Sequence, residues 1–481
     1  MRTSEVRGST ASLRHGSHTA AYLLWAFLVL ALLTGGASRP DVMSHVILRP
    51  LAVVLGTYAV WQLDRESLLQ VRAVVIGLVA LAGIMLMQLI PLPPQLWTAL
   101  PGRETAAAGA EILGIDQPWR PISLSPARTW NSFVSLLPAL CAVLLFARAS
   151  VSRRPGMLIV LLVCIGASAA LGIAQRAGAE DGPLYLYRIT NHGSAVGFFA
   201  NRNHQAAMLA VMVPMLAAFV SLGALRHEHG RHRKWIAFGV GLALVPLLLA
   251  TGSRAGLLLF VIATAASALL LWTPRNNNPQ RRRFSLRLVA LLALAAIGLA
   301  AVTYTLAQAE ALSRLSAHSL SGDLRVRLLP TYLTMVRDSF PVGFGFGSFD
   351  AVFRAYEPLA GMGAAYVNHA HNDLVELIID GGLPALVLLV LFAIWFVSRS
   401  MSVWRERSGE PVDIVLGRLG SVIIGLLVLA SLTDYPLRVP FIMIVFALAA
   451  AWLESATRNE RQARFTAWPF SRSAPGQSLD A

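Results

Sequence analysis

Along most of this chain the apolar residues neither alternate nor keep to one helical face; they run on with few interruptions. Twelve such runs stand out, at 20–36, 46–62, 72–91, 131–147, 157–175, 204–224, 235–250, 255–272, 288–306, 383–399, 419–432 and 440–453. Most approach the roughly 20 residues that an α-helix needs to cross about 30 Å of hydrocarbon. The pattern predicts an all-α polytopic membrane protein of about 12 transmembrane helices. The first run precedes "GGAS" and has the look of a signal peptide, but eleven more runs follow it, so it reads as a span.

Two gaps between runs are long. One, 92–130, holds "PLPPQLW" and "QPWRPISLSP"; the other, 307–382, is the longest polar stretch and contains a helical pattern over 326–338. Connections of this length are usually functional or disordered, and the helical piece favours function. The expected organisation is a tail at 1–19, helices one to nine over 20–306, a long loop with the candidate catalytic segment over 307–382, helices ten to twelve over 383–454, and a tail at 455–481.

Composition agrees with a membrane protein. The chain is 56% hydrophobic with a mean hydropathy of +0.61, and 14% of its residues are charged, against about 25% in soluble domains. A net charge of +15 invites a nucleic-acid reading. However, Lys234 is the only lysine, and most arginines fill short gaps between apolar runs, as in "RASVSRR", "RHEHGRHRK" and "PRNNNPQRRRFSLR". Topology accounts for that better than nucleic acid. The arginine-dense gaps are expected to face the cytoplasm together with both termini, leaving the two long loops outside. Cys141 and Cys164 lie within apolar runs and read as small core residues, with no disulfide or metal site implied.

Chemistry collects in "YVNHAHNDLVELIIDGG", residues 366–382. His371 has Asp373 and Glu376 within a turn, and a carboxylate at that distance would fix the imidazole tautomer and raise its basicity, as a general base requires. "HAH", with His369, and Asp373 would offer three metal ligands, but no further ligand has a recognisable spacing. By the expected topology, Arg202, Arg254, Arg325, Arg327 and Arg438 fall at span ends on one side. Arginine at a span end commonly snorkels to headgroups. Several converging arginines instead make a polyanion site, because guanidinium forks match phosphate oxygens in pairs. Arg254 adds nothing that the "TGSRAG" turn needs. Asp434 and Arg438 are expected to pair with each other, and "NRNHQ" to open a helix with Asn203 as its cap. "GFGFGSF" at 343–349 lacks nucleotide-loop spacing and reads as a turn that packs Phe344, Phe346 and Phe349.

From about residue 160 to 455 the ordered set "GFFANRNHQAA", "TGSRAGLL", "GDLRVRLLPTYLTMVRDSFPVGFGFGSFDAVF", "HAHNDLVELIIDGGLPAL" and "LTDYPLRVP" resembles the O-antigen ligase and polymerase superfamily of bacterial envelope enzymes. That resemblance implies a GT-C type glycosyltransferase in the bacterial inner membrane, metal-independent, inverting and without cofactor. It would move a glycan from an undecaprenyl-diphosphate donor to an acceptor hydroxyl on the periplasmic side, either another lipid-linked repeat or the lipid A core. It maps the family's two arginines and histidine onto Arg254, Arg325 and His371. Arg327 is an alternative to Arg325, since Pro330 stands where the family more usually has a tryptophan near this arginine. Arg202, His369, Asp373 and Arg438 would then line the substrate groove. A flippase and a chain-length regulator are the protein partners such an enzyme would keep. "HAHNDLVEL" and "NRNH" look more like the polymerase-type members than like the core ligases. Two rivals stand beside this reading: a bicarbonate-type transporter of the same superfamily, and a scaffold subunit of an envelope complex. A transporter is expected to carry polar or broken helices at mid-membrane, whereas the mid-span positions here are nearly all Leu, Ala, Val and Gly.

Overall fold

The computed structural model describes residues 17–225, 230–271, 327–359, 367–406 and 411–466. It is an all-α bundle. Eleven of the twelve apolar runs appear as helices, while the ninth, 288–306, lies outside the described residues. In chain order these are α1 (His18–Thr34), α2 (His45–Trp61), α3 (Arg72–Met87), the pair α4 (Pro126–Val134) and α5 (Leu137–Arg148), α6 (Arg154–Ala177), α7 (Arg202–Leu225), α8 (Gly230–Thr251) and α9 (Arg254–Leu271). Two short helices, α10 (Leu329–Ser339) and α11 (Phe349–Tyr356), precede α12 (Asp373–Arg405), α13 (Pro411–Ser431) and α14 (Pro440–Thr466). Among the described residues, eight helical spans are long and apolar enough to cross a membrane; α1, α2 and α3 are shorter apolar helices of 16–17 residues.

Burial separates the centre from the lipid-facing rim. The apolar window of α14 is 89% buried and that of α7 78%, whereas α8 is 17% and α12 28% buried. Residues such as Leu391 and Ile394 on α12 therefore present apolar side chains outward, as a surface in contact with lipid requires. In the centre, α13 meets α14 through Gly420, whose missing side chain lets the Ala449 carbonyl come close. Small residues at such crossings let backbones approach where lipid gives no hydrophobic drive to association.

Over one end of the bundle lies a second layer built from both long gaps. A two-stranded ribbon, β1 (Pro91–Leu92) with β2 (Arg120–Pro121), is pinned by the Trp97 indole donating to the Pro121 carbonyl at 2.9 Å. Arg103, fully buried, donates to the carbonyls of Pro101, Ile122 and Gly343. Burial draws its guanidinium down to about 10, still charged near neutrality. The 326–338 pattern is realised as α10, and Phe344, Phe346 and Phe349 are buried as the turn reading expects. The rings of Tyr332, Phe349 and Phe353 have their centres within 6 Å of one another, Phe349 and Phe353 stacked and Tyr332 inclined to both, and form a small core with Met335 and Ile379.

The 343–347 turn then clamps α12. Phe344 N–H donates to the Ile379 carbonyl, Gly345 N–H to that of Asp380, and Gly347 N–H to the Asp380 carboxylate. Gln88, at the end of α3, bonds both partners, donating to the Asp380 carbonyl and accepting from Phe346 N–H. At Gly382, with φ 59°, α12 breaks into pieces 373–381 and 383–405. The second piece begins where the sequence places the tenth span. The first belongs to the layer above the bundle.

Gly345 has φ 100°, and a Cβ there would overlap Ser123. Gly345→Ala is therefore expected to lower the unfolding midpoint in detergent, by roughly 2 kcal/mol or more. Gly77→Ala, in the helical and uncrowded middle of α3, serves as the control and is expected to be neutral or slightly stabilising. Equal midpoints for the two variants would show that the turn tolerates a side chain.

Candidate functional site

The polar run at 367–376 forms a tight turn and a helix start. Asn372 caps α12, its side-chain oxygen accepting from the N–H groups of Leu374 and Val375, both at 3.1 Å. The preceding His371 holds φ 49°, a left-handed conformation that costs a non-glycine residue about 1–2 kcal/mol. This geometry turns its imidazole away from α12 and toward the α13–α14 connection. There His371 Nδ1 meets Asp434 Oδ1 at 3.2 Å, with the imidazole 30% exposed and the carboxylate 6%. His369 points the other way, with Nδ1 at 2.9 Å from Glu376 Oε1, while the other oxygen of Glu376 accepts from Ala370 N–H.

The expected partnerships are thus rearranged. Asp373 and Glu376, near His371 in sequence, both turn inward to Arg438. Its Nε lies 3.4 Å from Asp373 Oδ1, and its Nη2 lies 3.2 Å from Glu376 Oε1 and 3.7 Å from Asp380 Oδ2. Burial pulls this guanidinium down, but the three carboxylates outweigh it and hold the group above its ordinary value. Asp434 and Arg438 do not pair with each other as the sequence reading expected. Residues 432–438 form a turn ending in a 3₁₀ segment, Pro436–Arg438, so the i, i+4 spacing does not bring the two side chains together. Asp373 also accepts from the Ser431 hydroxyl and Leu437 N–H, at 3.0 and 3.1 Å.

Asp434 is the hub. Beyond His371, its Oδ2 accepts from Asn203 Nδ2 at 2.7 Å and Asn201 Nδ2 at 3.4 Å, both at the start of α7. Asn203 is not the helix cap. Asn201 takes that place, its side-chain oxygen accepting from Asn203 N–H at 2.8 Å, which frees the Asn203 side chain to reach Asp434. Asn203 Oδ1 in turn accepts from the Ser253 hydroxyl at 2.8 Å, and Ser253 Oγ accepts from Gly256 N–H to cap α9. Arg254 stands at the first position of that helix, exposed and with no ion pair among the described residues. A methyl group built on Gly252 would sit 3.4 Å from Arg202 Nη1, so Arg202 borders the same turn. The chain His371–Asp434–Asn203–Ser253 therefore links the imidazole to the turn that carries Arg254.

Tyr435 fills the space behind these groups. Its ring lies 4.3 Å from that of His369, 5.1 Å from that of His371 and 5.2 Å from that of His204. Burial first, and then the Asp434 carboxylate, push its phenol above the ordinary value, so it stays protonated near neutral pH. Of the remaining candidates, Arg327 is exposed just ahead of α10, and Arg325 lies outside the described residues.

With Nδ1 facing the Asp434 carboxylate, the outer nitrogen of His371 lies at the partly exposed edge of the ring. The described residues thus bring an oriented imidazole and two arginines to one end of an apolar bundle. The Asp434 partnership, Tyr435 and the asparagines were not found from sequence; "LTDYPLRVP" and "NRNHQ" marked their segments but not who meets whom.

Comparison with the curated proteins returned no match. Residues 239–390 match the family model described as O-Antigen ligase, a stretch that runs from α8 into α12 and includes Arg254 and His371. That stretch is therefore similar to an O-antigen ligase domain, which supports a glycan-transferring membrane enzyme in general terms.

Proposed function

We propose that this protein transfers a glycan from a polyprenyl diphosphate, of the undecaprenyl class, to an acceptor hydroxyl at the end of the bundle that carries His371. The observation that carries this reading is the link from the imidazole through Asp434, Asn203 and Ser253 to the Arg254 turn. His371 takes the acceptor proton on its outer nitrogen while the hydroxyl oxygen attacks the anomeric carbon. The bond from that carbon to the donor's diphosphate breaks, and the electron pair leaves with the diphosphate. A direct displacement of this kind inverts the anomeric centre.

The leaving group is already a good one, so its developing charge is what the protein must hold. Arg254 presents a guanidinium with no ion pair among the described residues, and Arg202 borders the same turn. Preorganised charge of this kind is often the largest catalytic contribution. Arg325 or Arg327 supplies a further fork in this scheme. His369, Asp373 and Arg438 support the site from within: their partners are internal, and they hold the walls in place. The acceptor is a second lipid-linked repeat, which makes the enzyme a polymerase of a secreted or surface polysaccharide, with ligation to a lipid core as the alternative. The charge pattern of the loops supports a periplasmic position for this end in a bacterial inner membrane, with both termini in the cytoplasm.

In vesicles that hold purified protein and a lipid-linked glycan donor, His371→Ala is expected to reduce glycan transfer by about two to four orders of magnitude while membrane abundance is unchanged. Persistent transfer would remove His371 from the role of base. Asp434→Asn keeps the shape but not the charge behind the imidazole, and a loss of about ten- to a hundred-fold is expected. Arg254→Lys retains a positive charge without the fork. A drop in turnover of about a hundred-fold or more is expected, whereas full activity would mean that Arg254 only anchors the span to headgroups. Vesicles that accumulate bicarbonate and transfer no glycan would turn the assignment over to the transporter reading.

A further inference from the structure

The exposed apolar stripe of α3 does not stop where the helix does. Ile76, Val79 and Met87 fall on one exposed face of α3, and Ile90, just beyond its end, keeps to that face. Pro91 follows, exposed and paired with Pro121 across the ribbon. Opposed residues of an antiparallel pair share a face, and the next residue but one returns to it. Trp119 therefore stands on the Pro91 side and Arg120 on the other. The contacts agree. The Arg120 guanidinium lies 4.8 Å from the ring centre of Trp97, which is buried, while Trp119 is 66% exposed.

Trp119 is the near edge of a strapped unit. Ile115 N–H donates to the Ala110 carbonyl, the Gln117 amide to that of Ala107, and Arg120 to that of Ala106. Residues 115–120 are thus tied along the helix Glu104–Ile112. That helix buries Ala110, and its pitch turns Ile112 to the opposite side. Gly114, at φ 65°, makes the tip, where Ile112 is 84% and Leu113 73% exposed, with Ile115 exposed beside them. The straps fix the backbone that carries these side chains, so they cannot fold back under the layer. The exposed charges of the unit are Glu104, Glu111 and Asp116, while Arg103 is buried and Arg120 turned inward.

We propose that this unit is an interfacial anchor, seated in the lipid leaflet at the rim end of the bundle. Trp119 lies at headgroup level and the Ile112–Ile115 tip reaches the upper acyl chains. Continuity with the exposed stripe of α3 selects lipid as the occupant, and a tryptophan at that junction offers an apolar body and an N–H for the headgroups. The acidic residues give anionic headgroups nothing to bind. The contact is therefore hydrophobic and takes a zwitterionic phospholipid. It rests only on the chain lying in a membrane and is independent of the chemistry at His371.

The test places the full-length protein in phosphatidylcholine nanodiscs at one copy per disc. Leu113→Cys and Trp119→Cys each carry a thiol-linked fluorophore, with Arg337→Cys, at an exposed position of the same layer, as the aqueous control; Cys141 and Cys164 are buried, and the wild-type protein supplies their background. Acyl-brominated phosphatidylcholine is expected to quench the first two labels about three-fold or more over the control. A Leu113 label quenched no more than the control overturns the proposal. A Leu113 label open to aqueous iodide at one copy per disc, and shielded only at two, also overturns it and assigns the face to a second copy of the chain. Quenching is expected to hold or fall when half the lipid is phosphatidylglycerol; quenching that appears only with phosphatidylglycerol overturns the zwitterionic contact. Should labelling disturb the fold, hydroxyl-radical footprinting of the unlabelled protein in the same discs reads Trp119 directly. Protection of Trp119 is expected, and oxidation at the rate of a water-exposed tryptophan overturns the anchor.

Discussion

The site depends on one buried cluster, the Arg438 guanidinium among Asp373, Glu376 and Asp380. Four ionised or ionisable groups at a helix start, largely removed from water, are tolerated only if they satisfy one another. Removing the cation would leave three carboxylates facing each other in a low-dielectric setting, at a cost of about 3–5 kcal/mol. What the cluster fixes is a distance. Arg438 ends the turn that presents Asp434, and its partners start the helix that follows His371. Holding one end against the other sets the 3.2 Å approach of the imidazole to its carboxylate.

Each side of that contact is held from a different layer. Asp434 is gripped by the asparagines that open α7, the helix at the centre of the bundle. His371 is carried by the rim layer, where the 343–347 turn and Gln88 bind the first piece of α12. An exposed loop alone would let the imidazole wander. Here it is bracketed between a cap residue and a buried hub. The cost of its left-handed backbone is offset by surroundings that leave no other arrangement for the turn.

Helices were legible because a spanning helix is written in an unbroken apolar run, which needs no partner to be recognised. The residues of the site were legible as a set, because charge is rare in this chain and collects at span ends. Their pairing was not. Asp373 and Glu376 stand two and five positions after His371, yet the Asn372 cap starts a helix that turns both inward. The true partner of the imidazole is 63 residues away, across two spans. Asp434 and Arg438 mislead for a related reason: four-residue spacing implies contact only in a helix, and that segment is a turn. Long-range contacts of this kind leave no periodic trace.

The glycine hinge in α12 has a mechanical meaning. Below it, the helix is the least enclosed of the long spans but one, and it follows the bilayer; above it, nine residues are fastened to the rim. A bilayer that thins or thickens is matched by tilting the lower rod. The break at Gly382, with Leu383 N–H bonded to the Pro341 carbonyl, separates that rod from the nine residues that follow the imidazole turn.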